Sequence, residues 1–315
     1  MDTPWEQGDL QLTPELVLRL VRAQGAELDS IRYLNEGWDS WVYTARDRQG
    51  REWILRFPKR AEVVEQLDRE VALLPLLAPR LPLAVPRFGL LGQPGEGYPH
   101  RFVGYPRLPG QTGLERLEDA FEVSSYGETL GTFLAVLHAF PSQEACRLGV
   151  EADEKGGLVE WAGQCEARLL EFGAILDART RERALELLRH PPPPSTAPVL
   201  LHNDFFPEHL LVEGGRLTGV IDWGDVALGD PGADLAGLFA WRGEPLLAAG
   251  LAAYRKGRAL DDAAVARLAA RARFFSVLHA ADELEYGVTA GREAYTRAAS
   301  RTLSALGDAL DAGYG

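Results

Sequence analysis

The segment from Pro198 to Leu235, PVLLHNDFFPEHLLVEGGRLTGVIDWGDVALGDPGADL, concentrates groups that can hold protons and metal ions. Asp204 is followed five residues later by His209, and Asp222 closes the apolar run Leu217–Ile221. Moving a phosphoryl group asks little covalent chemistry of a protein. It needs something to orient the attacking hydroxyl, and oxygen or nitrogen ligands for the cation that bridges the phosphates. Asp204 suits the first task, and His209 with Asp222 the second, although magnesium prefers oxygen to imidazole nitrogen. Their types and spacing predict transfer of phosphate to a hydroxyl.

Three apolar runs, Val199–Leu201, Leu210–Val212 and Leu217–Ile221, flank this polar stretch. Read as short strands, they place His202, Asp204 and His209 in a connecting loop and Asp222 at a strand end. His202 is expected to brace that loop by hydrogen bonding. Asp225, Asp230 and Asp234 follow closely; Asp230, just before Pro231, predicts turn and helix-capping chemistry, bracing the loop instead of ligating metal. His138, beside Phe133, Leu134 and Leu137 in a helical pattern, is expected to be a packing histidine.

Upstream, Thr13, Pro14 and Glu15 announce a helix whose Leu16, Leu20 and Val21 repeat at helical spacing. Strand-like runs follow at Ser30–Leu34, Trp41–Ala45 and Glu52–Phe57, joined by NEGWDS and RDRQGR, and predict a three-strand antiparallel sheet. AEVVEQLDREVALLPLLAP reads as a helix stopped by Pro79, and RFGLLG and PHRFVGYPRLPG as two more strands. Beyond Gly110 amphipathic helices dominate, at Ser125–Ala139, Leu158–Leu176, Arg179–Arg189 and again from Asp234 onward; PPPPS at Pro191–Ser195 reads as a stiff connector. The expected organisation is α+β and bilobal, with a small β-rich lobe over residues 1–108 and a larger helical lobe over 109–315.

With 315 residues, 46% hydrophobic and 25% charged, the chain can bury a substantial core, which excludes disorder as its main theme. The start has no basic patch leading into an apolar run, and no stretch stays apolar for about 18 residues, so a soluble, cytoplasmic protein without a membrane partner is expected. Cys146 and Cys165 lack CxxC spacing and are expected as buried free thiols, not as a disulfide or zinc site. A net charge of −13 argues against a nucleic-acid-binding face and suits a cationic substrate.

His202-Asn203-Asp204, His209 and Asp222-Trp223-Gly224 together resemble the catalytic loop and metal-binding strand of the protein-kinase-like superfamily, HRDxxxxN followed by DFG. LHNDF with GVIDWGDVALGDP is similar to the antibiotic phosphotransferases, most of all the aminoglycoside 2''-phosphotransferases and macrolide kinases. IRYLNEGWDSWVY resembles that family's nucleotide loop, WILRFPKR its third strand, LDREVALL the helix with a partner carboxylate, and ELEYGVTAGRE a helix end of the aminoglycoside enzymes. The resemblance spans nearly the whole chain in the right order.

The resemblance implies a kinase-like fold, magnesium, and GTP or ATP as phosphate donor. It makes Asp204 the group that orients the substrate hydroxyl and His209 and Asp222 the metal ligands, with His209 standing where protein kinases have asparagine. Arg56 falls where the family usually has a phosphate-contacting lysine, and Glu70 where its partner carboxylate should be; a planar guanidinium cannot repeat an ammonium's contacts unchanged. Lys59, past Pro58, is expected to point to the opposite face from Arg56. The loop Asn35–Ser40 has Gly37 alone and is no GxGxxG cradle, but amides around Asp39 and Ser40, or the Ser40 hydroxyl, are expected to reach a phosphate. In the hinge-like VGYPRLPG, the Pro106 carbonyl and Leu108 amide are expected to bond the base. Tyr105 stands behind them, where a bulky tyrosine goes with guanine use in the 2''-phosphotransferases. Glu244, Asp282 and Glu283 are expected to face a cationic acceptor such as an aminoglycoside, while His279 replaces an aromatic platform of some aminoglycoside enzymes. Two alternatives stand beside this reading. One is a kinase of a macrolide, sugar or other metabolite hydroxyl, and the other a nucleotide-binding pseudokinase, toward which Arg56 and His209 would point.

Overall fold

A computed structural model describes residues 12–37, 39–117, 119–153, 158–193 and 197–311. By its internal contacts the chain divides into two compact units, Met1–Pro75 with Pro86–Leu108, and Leu76–Val85 with Pro109–Gly315.

The first unit opens with α1 (Pro14–Ala23), capped by the Thr13 hydroxyl oxygen, which accepts from the Leu16 amide at 3.3 Å. Strands β1 (Leu28–Glu36), β2 (Ser40–Asp47) and β3 (Glu52–Pro58), helix α2 (Ala61–Leu77) and strands β4 (Leu90–Gly92) and β5 (Phe102–Pro106) follow. All five strands join one antiparallel sheet in the order β1-β2-β3-β5-β4. Strand alternation assigns its two faces. Tyr43, Ala45, Leu55 and Phe57 are buried with the apolar side of α1. Val42 pairs with Arg56 and Ile54 with Tyr105, so Ser40, Arg56 and Tyr105 share the other face. Along α2, Val63, Leu67, Leu74 and Leu77 form a buried stripe with Glu70, fully buried, in its middle. Pro75 lies inside this helix, which ends at Leu77, ahead of the Pro79 expected to stop it.

In the second unit β6 (Gln111–Thr112) is followed by helices α3 (Val123–Leu137), α4 (Ser142–Arg147), α5 (Leu158–Phe172) and α6 (Ala178–Arg189). Strands β7 (Val199–Leu201), β8 (Leu210–Glu213), β9 (Arg216–Val220) and β10 (Ala227–Gly229) come next, then helices α7 (Pro231–Arg258), α8 (Asp262–Thr289) and α9 (Glu293–Asp311). Two small sheets, β6-β8-β9 and β10-β7, carry the loops of interest. Leu76–Val85 belongs here because Ala84 bonds to β9, accepting from the Val220 amide at 2.8 Å. Helix α7 breaks at Arg242–Gly243, where Gly243 has φ 61° and Pro245 follows; glycine adopts that left-handed turn without a Cβ clash. Among the described residues, no helix is long and apolar enough to cross a membrane.

Cys165 is a buried thiol, but Cys146 is exposed, against expectation. The short α4 buries Ala145, and the next residue of a helix points about 100° away from it. Of the proline run, Pro194 and Ser195 lie outside the described residues, while the Pro192 and Pro193 carbonyls accept from Arg271 at 2.8 and 2.6 Å.

Candidate active site

Leaving β7, the chain turns through His202 and Asn203 into the loop that carries Asp204. Asn203 has φ 66° and Asp222 φ 62°, the left-handed region that Asn and Asp tolerate better than other residues with side chains. Both sharp turns of the site are therefore made by residue types that can make them. His202 is fully buried and its Nε2–H donates to the Ile221 carbonyl at 3.0 Å, which ties the Asp204 loop to the backbone next to Asp222. Burial lowers the pKa of His202 and favours its neutral ring.

The loop is held from α7 by Asp234. This fully buried carboxylate accepts from the His202 and Asn203 amides at 2.9 and 2.8 Å, and from His138 Nε2 at 3.0 Å. His138 Nδ1 in turn accepts from the Tyr254 hydroxyl at 2.9 Å, so the packing histidine is also a link in the brace. The helix-capping expected of Asp230 is found, but the loop brace also expected of it belongs to Asp234. Asp230 caps α7, accepting from the Gly232 amide at 2.8 Å, and pairs with Arg271. The Asp-Pro signature marks a helix start, whereas the brace sits one turn into the helix, where a buried side chain can point back at β7.

One turn further along α7, Gly237 lies against the same loop. A Cβ at this position would stand 1.7 Å from the Phe205 carbonyl oxygen and 2.8 Å from its carbon. Backbone atoms cannot swing aside, so Gly237→Ala must move the loop or the helix. Displacement near 1 Å costs about 10²-fold in rate. Steady-state kinetics should show kcat down by about that factor with the nucleotide Kd little changed; unaltered kcat would mean the loop accommodates the methyl group.

Asp204, His209 and Asp222 come together as expected from their spacing. His209 Nδ1 is 3.3 Å from Asp204 Oδ2 and 3.0 Å from the Asp204 carbonyl oxygen, and His209 Nε2 is 3.6 Å from Asp222 Oδ2. Burial opposes a charge on His209, but Asp204, Asp222 and Glu208 outweigh it and lift the pKa to about 9. Burial raises the pKa of Asp204, with His209 working against it. A place that favours positive charge despite burial is one that a divalent cation fits. His209 and Asp222 are the residues that would hold it, and it would supply neutralisation of phosphate charge.

In the first unit Arg56 Nη1 donates to Glu70 Oε2 at 2.8 Å, with side-chain exposures of 12% and 0%. The α2 stripe thus delivers a carboxylate to the Arg56 face of the sheet. Lys59 lies past the end of β3, donates to the Gly37 carbonyl at 2.6 Å, and stands over the Trp41 ring, on the side opposite Arg56. Ser40 is buried at the start of β2, and the Asp39 carboxylate pairs with Arg60. Tyr105 is buried with its ring edge-on to Phe88 at 5.8 Å. Pro106 pairs with Trp53 and, lacking an N–H, has only its carbonyl to offer; Leu108 is half-buried at the end of this unit.

The three acidic residues expected to face an acceptor part company. Glu244 is held by both nitrogens of the Arg273 fork, each at 2.9 Å. Asp282 accepts from Trp161 Nε1 at 3.1 Å and pairs with Arg168 at 3.4 Å. Arginines neutralise both, and neither joins the Asp204 group. Glu283 does: it lies 3.6 Å from His279 Nε2, which is 3.8 Å from Glu208 Oε1, and its field reaches Asp204. His279 stacks on Phe206 with 12° between the rings. Burial works against its charge, but Glu283 and Glu208 raise its pKa to about 10. Glu208 is the residue the sequence left unmarked. Its only linear signal is its place between Pro207 and His209, because its partner His279 is far along the chain.

A β-rich first unit with a buried Arg–Glu pair, and a helical second unit with an Asp–His–Asp loop, define a kinase-like phosphotransferase of α+β fold. Residues 30–275 match the model of the phosphotransferase enzyme family, and the chain belongs to that family. It is an enzyme that transfers phosphate to an alcohol group. It is 27% identical over 248 residues to the uncharacterized protein YcbJ of Bacillus subtilis (strain 168), covering 72% of this chain and 76% of that protein. Macrolide 2'-phosphotransferase MphH from Brachybacterium faecium is 29% identical, with a TM-score of 0.64 over 92% of this chain and 98% of that one. Aminoglycoside 2'-phosphotransferase-IIIa, solved as its GDP complex, shares the fold at 23% identity, with a TM-score of 0.69 over 94% and 99% of the two chains.

Proposed function

We propose that this enzyme passes the γ-phosphate of GTP, or of ATP, to a hydroxyl of a cationic, aminoglycoside-like acceptor. The observation that carries this reading is the placement of Asp204, with His209 and Asp222 on one hand and Glu208 and Glu283 on the other. In this scheme residues 1–108 supply the nucleotide contacts, with Arg56, steadied by Glu70, at the phosphates, and amides near Asp39 and Ser40 reaching them too. Residues 109–315 supply the chemistry and the acceptor contacts. Asp204 accepts the hydrogen bond of the acceptor hydroxyl and takes its proton as the new O–P bond forms. The bond to the β-phosphate oxygen breaks, and the nucleoside diphosphate leaves. His209 and Asp222 would hold magnesium, which would supply charge neutralisation when bound. Among the described residues Glu283, unlike Glu244 and Asp282, has no arginine partner, and it is the carboxylate that an acceptor ammonium would meet.

Labelled GTP and ATP, each tested with aminoglycosides, macrolides and simple sugars in the presence of magnesium, examine this reading. Phosphate should appear on a cationic acceptor. Thermal stabilisation by nucleotide with no transfer to any of them would overturn it.

Base choice is read here from Tyr105, since solved structures of this fold hold GDP, ADP or ATP. GTP should be used at least as well as ATP. In Tyr105→Ala the ratio of the two Michaelis constants should move toward ATP by about tenfold, the scale of one pocket contact. The ratio is measured within one variant, so partial unfolding does not affect it. A strong ATP preference in the parent would sink the idea.

A further inference from the structure

Two neighbours of Asp204, Glu208 and His279, are given no step in the proposed phosphoryl transfer. A carboxylate oxygen of Asp204, one of Glu208 and a ring nitrogen of His279 all lie within 4.8 Å of one another. They come from three places: the loop after β7, the turn Pro207–His209, and the middle of α8. His279 Nε2 stands 3.8 Å from Glu208 Oε1 and 3.6 Å from Glu283 Oε1. Oppositely charged N–H and O groups with nothing between them close to about 2.7–2.9 Å. Here they do not, and both His279 Nε2 and Glu208 Oε2 are buried without a hydrogen-bond partner among the described residues. The ring cannot tilt to close the gap, because it lies flat on Phe206.

Ligands on a tetrahedron around an ion with bonds of about 2.0–2.2 Å stand roughly 3.3–3.6 Å apart. The spacing around His279 Nε2 is close to that. One imidazole with two or three carboxylates is a donor set that zinc favours, whereas magnesium prefers sites richer in oxygen.

We propose that Asp204, Glu208 and His279 form a zinc-binding site distinct from the magnesium ligands His209 and Asp222, with Glu283 as a further donor, and that zinc bound there inhibits the enzyme. The inhibition rests on the reading of Asp204 as the group that orients the hydroxyl; the binding does not. Zinc beside Asp204 would occupy one carboxylate oxygen, draw charge from the other and crowd the place of the acceptor hydroxyl, so turnover falls while the nucleotide still binds.

The full chain, stripped of metal and kept in excess magnesium, is titrated with zinc by calorimetry. One zinc equivalent should bind to the parent and to His209→Ala. In His279→Ala its affinity should fall at least 100-fold, since losing a direct ligand exceeds the roughly 10–100-fold cost of losing a supporting group. Glu208→Gln, which keeps shape and polarity, should weaken binding in the same direction, so the test does not depend on His279→Ala folding well. Zinc binding that is unchanged in both variants, or wholly lost in His209→Ala, overturns the site. For inhibition, each protein's rate with zinc is compared with its own zinc-free rate. The parent should be inhibited without a rise in the nucleotide KM, and His279→Ala should need at least 100-fold more zinc for the same effect. Zinc that binds the parent at His279 without slowing it overturns the role given to Asp204 and leaves the site standing.

Discussion

Asp204→Ala should lower kcat by about 10²–10⁴-fold, the contribution of one positioned proton acceptor, and leave the dissociation constant of the magnesium nucleotide nearly unchanged. Asp204 lies on the opposite side of His209 Nδ1 from the Nε2 that faces Asp222, so removing it takes away neither cation ligand. In a loose phosphoryl transition state the attacking oxygen carries little developing charge, and most of the rate comes from alignment and from neutralising the phosphates. Asp204→Asn is therefore the informative companion. It keeps an oxygen that can accept the hydroxyl's hydrogen bond but cannot take the proton. If orientation dominates, Asn retains distinctly more activity than Ala; equal loss in both would assign the effect to proton acceptance. Single-turnover rates and nucleotide titrations separate these outcomes, and near-normal transfer by Asp204→Ala would remove the assignment altogether.

Asp234→Ala should be the most damaging change remote from the reacting atoms. Its carboxylate is the acceptor for two backbone amides and an imidazole N–H, the His202 and His138 bonds buried and the Asn203 bond partly so. Deleting it leaves three donors without a partner, at about 1–3 kcal/mol each if none finds water. Because the freed donors relax together and the Asn203 amide is partly exposed, the total should lie toward the low end of that sum, about 3–5 kcal/mol. Urea unfolding should show that loss. Catalysis should suffer beyond it: the freed His202–Asn203 segment no longer has to hold φ 66° at Asn203, and Asp204 follows directly. Asp234→Asn keeps the volume and one acceptor oxygen, but turns an NH₂ group toward a donor, so it should fall between the parent and Asp234→Ala. A kcat measured on folded protein that stays at the parent level in Asp234→Ala would separate the brace from the chemistry.

The two variants probe different parts of one design. In the proposed scheme the loop residues act on the substrate, and Asp234 on α7 fixes where that loop lies. Gly237 belongs to the second group for the opposite reason to Asp234, since it matters by having no side chain.

By itself the sequence determined most of the elements and the nearness of the candidate set. Asp204, His209 and Asp222 are close in the chain, separated only by short strands and tight turns, so linear spacing nearly equals spatial proximity. Alternation in β2, β3 and β5 likewise carries Ser40, Arg56 and Tyr105 to one face, because a period of two is a property of the strand itself. Glu70 was legible through the resemblance, which puts a partner carboxylate on the helix after the Arg56 strand. Tertiary structure decided whatever depends on the side-chain environment across long separations. Glu244 and Asp282 read as available acids until Arg273 and Arg168 are placed beside them. Asp234 read as one more helix-start acid until its carboxylate is seen against the loop after β7. Glu208 gained a meaning only when α8 brought His279 and Glu283 to it. A carboxylate's type is written in the chain, but its charge state and its partner are set by what folding packs around it, and that is a sum over residues the local pattern does not contain.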